Sequence, residues 1–367
     1  MTLKERIQET QSAPITYTPV FFYPDRAADQ AALQQLLEAQ PYIRVYDELA
    51  GQLRELVKVQ HPTRRLSEAE TVAAVEAHLN GVPQDQYGVW VFYPWTAKLV
   101  HLLGKEEFIA LRTSRNMHKI TAAERDALQE KKIGVIGLSV GQTIALTLAM
   151  ERVCGELRLA DFDDVELTNM NRLRTTVDNL GMPKVIVAAR EIVEMDPYIQ
   201  VKVYLDGATE ANLDDFLTGG GKLDILVEEC DGVDVKILSR QKARKHRIPV
   251  VMDTNDRGML DIERFDLDPE YPLLHGLIPP IEDLGMLKHL SNEEKIPILG
   301  PMAGMADMSP RMKYSLGEIG KTITTWPQLA SSVMLGGALV TDTCRRILLD
   351  QLKSSGRYYV DFDQLIQ

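Results

Sequence analysis

Cysteine is scarce in this chain. Cys154, Cys230 and Cys344 are the only three, their spacings build no disulfide framework, and no C-x-x-C pair occurs. Zinc held by paired cysteines is therefore not expected, and the composition implies no structural zinc. Long apolar runs are lacking too. None approaches the ~18 residues of a membrane-crossing helix. The opening MTLKERIQETQSAP is too polar for a secretory signal, so a cytoplasmic location is the expectation. Positive charge is in deficit, with 41 Lys and Arg against 53 Asp and Glu and a net charge of −12. That balance argues against nucleic acid or an anionic membrane as partner, and any anionic ligand would need a local basic cluster. A strict G-x-G-x-x-G is also missing. What remains is an ordinary globular composition over 367 residues, long enough for a large core and two domains.

The stretch from Lys132 to Lys184 carries the strongest signal. Ile133, Val135 and Ile136 form an apolar strand pattern that runs into the short turn Gly137-Leu138-Ser139-Val140-Gly141. An apolar helix from about Gln142 to Arg152 follows, then a strand from Glu156 to Ala160 that ends on Asp161. Strand, tight glycine turn, helix and an acidic strand end form the first unit of a nucleotide-binding sheet. Gly137 and Gly141 let backbone N–H groups at the helix start approach phosphates, and Asp161 accepts from ribose hydroxyls. Ser139 stands where the second glycine would be, and the turn is one residue short.

A second run is more specific. Asp161-Phe-Asp163-Asp-Val-Glu-Leu-Thr-Asn169-Met-Asn171-Arg172 leads on to Gly181-Met-Pro183-Lys184. In the order and spacing of its polar residues it resembles the ThiF/MoeB family, whose adenylating fold is shared with the E1 enzymes, over roughly residues 110 to 350. The nearest likeness is to molybdopterin-biosynthesis-like members without the zinc cysteines. The resemblance implies an α/β fold with a doubly wound, mostly parallel, Rossmann-like sheet of the E1/ThiF type at 111–367, preceded by a smaller α/β module at 1–110.

The chemistry implied is attack of a carboxylate on the α-phosphorus of ATP, giving an acyl-adenylate and pyrophosphate. A carboxylate nucleophile needs no general base, so cations, Mg²⁺ and positioning would do most of the work. By resemblance, Arg172 and Lys184 face the phosphates, Asn169 fixes the nucleotide, and Asp231 holds Mg²⁺. Asp163 is a further binding candidate, with loop capping as its alternative, and Asp234 is an alternative metal ligand. Arg115, in Arg112-Thr-Ser-Arg115-Asn116, matches a family arginine that reaches into a neighbouring subunit, which implies a homodimer. The carboxylate partner would be a small ubiquitin-like or sulfur-carrier protein, a peptide or a small acid. Two other functions fit parts of the pattern. An NAD(P)- or FAD-binding oxidoreductase would use the glycine turn and Asp161 but leave Asn169, Arg172 and Lys184 unexplained. A catalytically degenerate family member acting as a binding protein would account for the altered turn.

Outside that stretch the pattern is mostly architectural. Strands are expected at Val20–Tyr23, Ile43–Tyr46, Val89–Tyr93 and 98–103, the last two as a hairpin whose aromatics read as core. Helices are expected at Asp25–Glu38 and Glu48–Val59, and after the capping box Ser67-Glu-Ala-Glu70. No catalytic constellation occurs there. After Lys184, helix and strand alternate through Ile199–Tyr204, 223–229 and Pro249–Asp253, which argues for a parallel sheet with Cys230 and Asp231 at a strand's carboxyl end. From Ile262 the expectation changes to an irregular, proline-bearing crossing segment (269, 272, 279 and 280), then the small run 300–306. A long apolar helix ends the pattern near Leu349, carrying Gly336-Gly337 and a packed Cys344.

Overall fold

The computed structural model describes residues 2–12, 15–279, 281, 284–285, 297–298, 300–302 and 304–366. Pro280 of the crossing segment and Ala303 of the small run lie outside them. The chain divides into two compact units, Met1–Thr121 and Ala122–Gln367. Among the described residues no helix is long and apolar enough to cross a membrane.

In the first unit, α1 (Leu3–Ser12) precedes a mixed sheet ordered β1-β3-β4-β2. Its strands are β1 (Val20–Phe22), β2 (Arg44–Asp47), β3 (Val89–Tyr93) and β4 (Lys98–Leu102). β3 and β4 form the expected antiparallel hairpin, and β2 joins β4 in parallel. Four helices accompany the sheet: α2 (Ala27–Ala39), α3 (Leu49–Gln60), α4 (Glu68–Leu79) and α5 (Lys105–Arg112). The capping box closes at α4, where the Ser67 N–H donates to the Glu70 carboxylate at 2.8 Å and the Glu70 N–H donates to Ser67 Oγ at 3.3 Å. Leu49, Leu53 and Leu56 of α3 pack with Leu103, and Phe108 and Leu111 of α5 cover them. That packing ties α5 to the first unit, so the division falls after Thr121 rather than near 110. The hairpin aromatics differ in depth. Phe92 and Tyr93 are buried, whereas Trp90 is half-buried and stacks on His101 with ring centroids 4.2 Å apart.

The second unit begins with α6 (Ala122–Leu128) and builds a seven-stranded sheet ordered β11-β10-β9-β8-β5-β6-β7. Five strands run parallel: β5 (Lys132–Ile136), β6 (Glu156–Ala160), β7 (Gln200–Tyr204), β8 (Ile225–Glu228) and β9 (Val250–Thr254). Every residue of β6 and β8 is buried, as expected of strands covered on both faces. The crossover helices are α7 (Gly141–Glu151), α8 (Lys184–Met195), α9 (Leu213–Thr218) and α10 (Val233–Lys245). The α/β, mostly parallel architecture expected from the alternation is thus present.

Two further strands widen the sheet. β10 (Met259–Glu263) turns back antiparallel to β9, and β11 (Gly356–Tyr359) pairs antiparallel with β10. Neither was expected, because the alternation in β10 is hidden by acids that are buried through pairing. Asp261 receives Arg357 at 2.5 Å, and Glu263 receives Arg240 at 2.5 Å. α11 (Pro310–Leu316) follows the crossing segment, and α12 (Ala330–Leu348) packs on α7 and β9. Small residues set that approach. A Cβ on Gly337 would lie 2.7 Å from Thr143 Cγ2, and one on Gly336 would run into the Asp253 carboxylate. Gly336→Ala is therefore expected to destabilise the fold by about 1–3 kcal/mol, the usual range for overpacking, measured by urea denaturation. An unchanged midpoint would mean that α12 does not approach β9 this closely.

Candidate active site

The chain leaves β5 in one direction to form β6 and β7, then returns to place β8 on the other side of β5. Parallel sheets bind ligands in the crevice at such a reversal, outside the carboxyl ends of the strands. The residues at this rim form one connected set of contacts. Gly137 turns the chain off β5 with φ +83°, and a Cβ there would meet the backbone of Glu229 and Cys230 at 2.7 Å. Only glycine brings the turn this close to the end of β8. Gly141 opens α7, and a Cβ on it would press on Val135 at 2.7 Å. No side chain caps α7; the Thr143 N–H donates to the Val140 carbonyl at 3.1 Å, and the helix start still presents its partial positive charge to an anion.

Asp161, at the end of β6, holds this turn. One carboxylate oxygen accepts from the Leu138 N–H at 2.5 Å, and the other accepts from the Asp163 N–H at 2.8 Å. Burial pushes the Asp161 carboxyl up, while those two N–H groups and the Lys184 ammonium act to lower it. Asp163 in turn receives Lys184 Nζ at 2.8 Å. Lys184 is the first residue of α8, buried to 5% exposure, with its own N–H donating to the Asp163 carbonyl at 2.9 Å. On the other side of the turn, Arg172 Nη2 donates to Ser139 Oγ at 2.8 Å and Nη1 donates to Asn171 Oδ1 at 2.9 Å. Arg172 Nε is buried with no hydrogen-bond partner among the described residues. Burial draws the guanidinium pKa down, and the Asp231 carboxylate works against it. Asp231 is exposed and carries no hydrogen bond among the described residues.

Lys184, Asp163, Asp161, the glycine turn, Arg172 and Asp231 therefore sit together. Other candidates fall differently. Asn169 is buried, but its Oδ1 accepts from the Glu166 N–H at 3.0 Å, so it shapes the loop that carries Arg172. Arg115 belongs to the first unit, exposed on the short turn Ser114–Asn116. Asp234 lies in the first turn of α10. Cys230 is half-buried and its thiol donates to Glu228 Oε1 at 2.9 Å. Burial and the Glu228 carboxylate push that thiol well up, favouring the protonated form.

A family model described as the ThiF family matches residues 113–255. Residues 113–255 thus carry the ThiF-family pattern. An uncharacterized protein of Mycobacterium tuberculosis is 43% identical over 272 residues, 74% of this chain and 38% of that protein. The tRNA threonylcarbamoyladenosine dehydratase of Bacillus subtilis is 30% identical over 156 residues, 42% of this chain and 60% of that protein. The chain thus spans well under two thirds of the length of either relative. Among solved structures, the E. coli tRNA N6-threonylcarbamoyladenosine dehydratase in complex with AMP is 19% identical. It covers 66% of this chain and 96% of its own, with a TM-score of 0.46.

Within this ThiF-like segment the sequence had given no sign of a carboxyl pair directly under the turn. Glu229, at the end of β8, accepts from the Asp253 N–H at 2.8 Å, and the two acids are buried side by side. Burial and its neighbour push Glu229 well up, and burial pushes Asp253 up to about 7. Neither oxygen of Asp253 has a hydrogen-bond partner among the described residues, so a proton is what neutralises it. Unfolded, Asp253 would titrate near 3.8. Between that value and about 7 the folded chain binds the extra proton, so this carboxyl's contribution favours folding at low pH and is lost as pH rises. Comparing melting temperatures across that window should show the wild type losing ground to Asp253→Asn as pH increases. Parallel profiles would show that Asp253 is ionised throughout.

Proposed function

We propose that this chain is an ATP-dependent adenylyltransferase that activates a carboxylate as its acyl-adenylate. The supporting observation is the contact set at the sheet reversal, where Arg172, Lys184 and an unpaired Asp231 gather around the uncapped start of α7. In the reaction a carboxylate oxygen forms a bond to the α-phosphorus, and the bond from that phosphorus to the bridging oxygen breaks. The electron pair leaves on pyrophosphate. The barrier is repulsion between anions and the charge gathering on the leaving group. Arg172, already aimed by Ser139, has a buried Nε–H left to offer a phosphate oxygen. Lys184 brings an ammonium that trades Asp163 for the triphosphate. The α7 N–H groups add a fixed partial positive charge.

The residues present suit Mg²⁺. No group of three or more metal-binding side chains occurs among the described residues. The ion would rest on Asp231 and the nucleotide's own oxygens, the few-ligand arrangement that magnesium accepts. When bound, it would neutralise charge on the phosphates. A homodimer in which Arg115 reaches the partner's phosphates extends the same reading. So does the substrate class: the carboxyl terminus of a ubiquitin-like or sulfur-carrier protein, a peptide, or a small acid.

ATP–pyrophosphate exchange over a panel of carboxylates tests the proposal. Arg172→Ala and Lys184→Ala should each lower exchange by on the order of 10², the usual effect of removing one charged transition-state contact, with the melting curve retained. Wild-type exchange in both variants, or stabilisation by NAD⁺ and not by ATP–Mg²⁺, would reject it. Ser139→Ala should weaken ATP binding roughly tenfold, since a hydrogen bond from a charged donor is lost. In an Arg172→Ala background the same change should add nothing.

A further inference from the structure

We propose that the first unit carries its own binding site for a small organic cation with an apolar body. The site is a cavity of about 500 Å³ between α2, the ends of β1 and β3, and the turn Gln84–Gln86. That volume lies within the range of small-molecule sites. Its aromatic wall is Phe22, Tyr23 and Trp90, and its carboxylates are Asp29, Glu38 and Asp85. No lysine, arginine or histidine lines it. Faces of aromatic rings and carboxylates attract the same kind of ligand, a positive charge on a hydrocarbon frame.

The apolar wall follows from how α2 is packed. The helix has thirteen residues and none is fully buried. Leu33 and Leu37 touch the cluster of Phe22, Ile43, Phe92 and Leu99, yet stay half-buried and line the cavity. A helix that covers its core only in part leaves apolar surface for a ligand to complete. Trp90 is held in register opposite Phe22, and its ring stacks on His101 at 4.2 Å. His101 is fixed in turn, its ring nitrogens 3.0 Å from Asp47 Oδ1 and 2.8 Å from the Tyr87 carbonyl. The aromatic wall is therefore preorganised.

The carboxylates keep capacity for a ligand. Asp29 accepts from the Tyr23 N–H at 2.9 Å through one oxygen, and Glu38 accepts from Gln34 Nε2 at 2.9 Å through one of its own. Ionised carboxylates accept up to about four hydrogen bonds each, so both can take an ammonium as well. The chain already contains one instance of the contact: the Arg26 guanidinium sits 4.1 Å over the Tyr23 ring.

Calorimetric titration of the full chain with three probes of one shape tests the proposal: phenethylamine, 2-phenylethanol and 3-phenylpropionate. The amine should bind at least about tenfold more tightly than the alcohol, the step that ~1.4 kcal/mol of cation recognition produces, and the carboxylate should not bind. Glu38→Gln with Asp85→Asn, both at exposed positions, should cut that preference severalfold, leaving Asp29 as its one carboxylate, with the alcohol's affinity and the melting curve unchanged. Equal binding of all three probes would overturn the proposal. So would an amine preference that the double variant leaves undiminished, or no amine binding at about 10 mM, a concentration at which even a weak fragment saturates a real site.

Discussion

One carboxylate governs the rim of the sheet. Asp161 stands at the end of β6 and reaches across to the turn that follows β5, so it fixes that turn relative to two strands at once. Its second oxygen starts the loop that delivers both Asp163 and Arg172. Bonds to a charged acceptor contribute about 1.5–3 kcal/mol each and work against the burial that raises its carboxyl. A neutral side chain here would release the turn and the loop together. Lys184, through Asp163, and Arg172, through Ser139, are thus both tied to backbone that Asp161 holds.

The rest of the sheet is held by charge in a different way. Arg240, fully buried on α10, bridges Glu228 of β8 and Glu263 of β10 at 2.5 Å each, and Lys236 adds a second cation to Glu228. Burial alone would raise Glu228, but these cations hold its carboxyl low. Such pairs add little net stability, because desolvation consumes most of the attraction. Breaking one leaves a stranded charge costing about 3–5 kcal/mol. They therefore fix which strand lies beside which, and they bind the antiparallel extension to the parallel core.

The difference between legible and hidden elements has the same origin. β5 and β8 could be read directly as largely apolar runs, and β6, despite its buried Glu156–Arg158 pair, from its place after the glycine turn and helix. β10 could not, because Asp261 and Glu263 look like surface residues until Arg357 and Arg240 are placed against them. At the site, Gly137, Asp161, Arg172 and Lys184 were visible as spacing along the chain. The contacts among them were not. Ser139 reads as a missing glycine, and its use as an acceptor for Arg172 emerges only when a loop 33 residues downstream folds back. Glu229 and Asp253, 24 residues apart, become neighbours solely through the parallel pairing of β8 and β9.

The pairing of Asp163 with Lys184 has a consequence for selectivity. The lysine is buried while its partner is half exposed, so the ammonium is neutralised before any ligand arrives. An incoming anion must exchange with a built-in counter-ion rather than fall into an open positive well. Chloride or sulfate gains little from such an exchange. Under the adenylation proposed above, a chain of phosphates engaging helix, arginine and lysine together would have the contacts to displace the carboxylate, and the Asp163–Lys184 pair would screen the resting site against small anions.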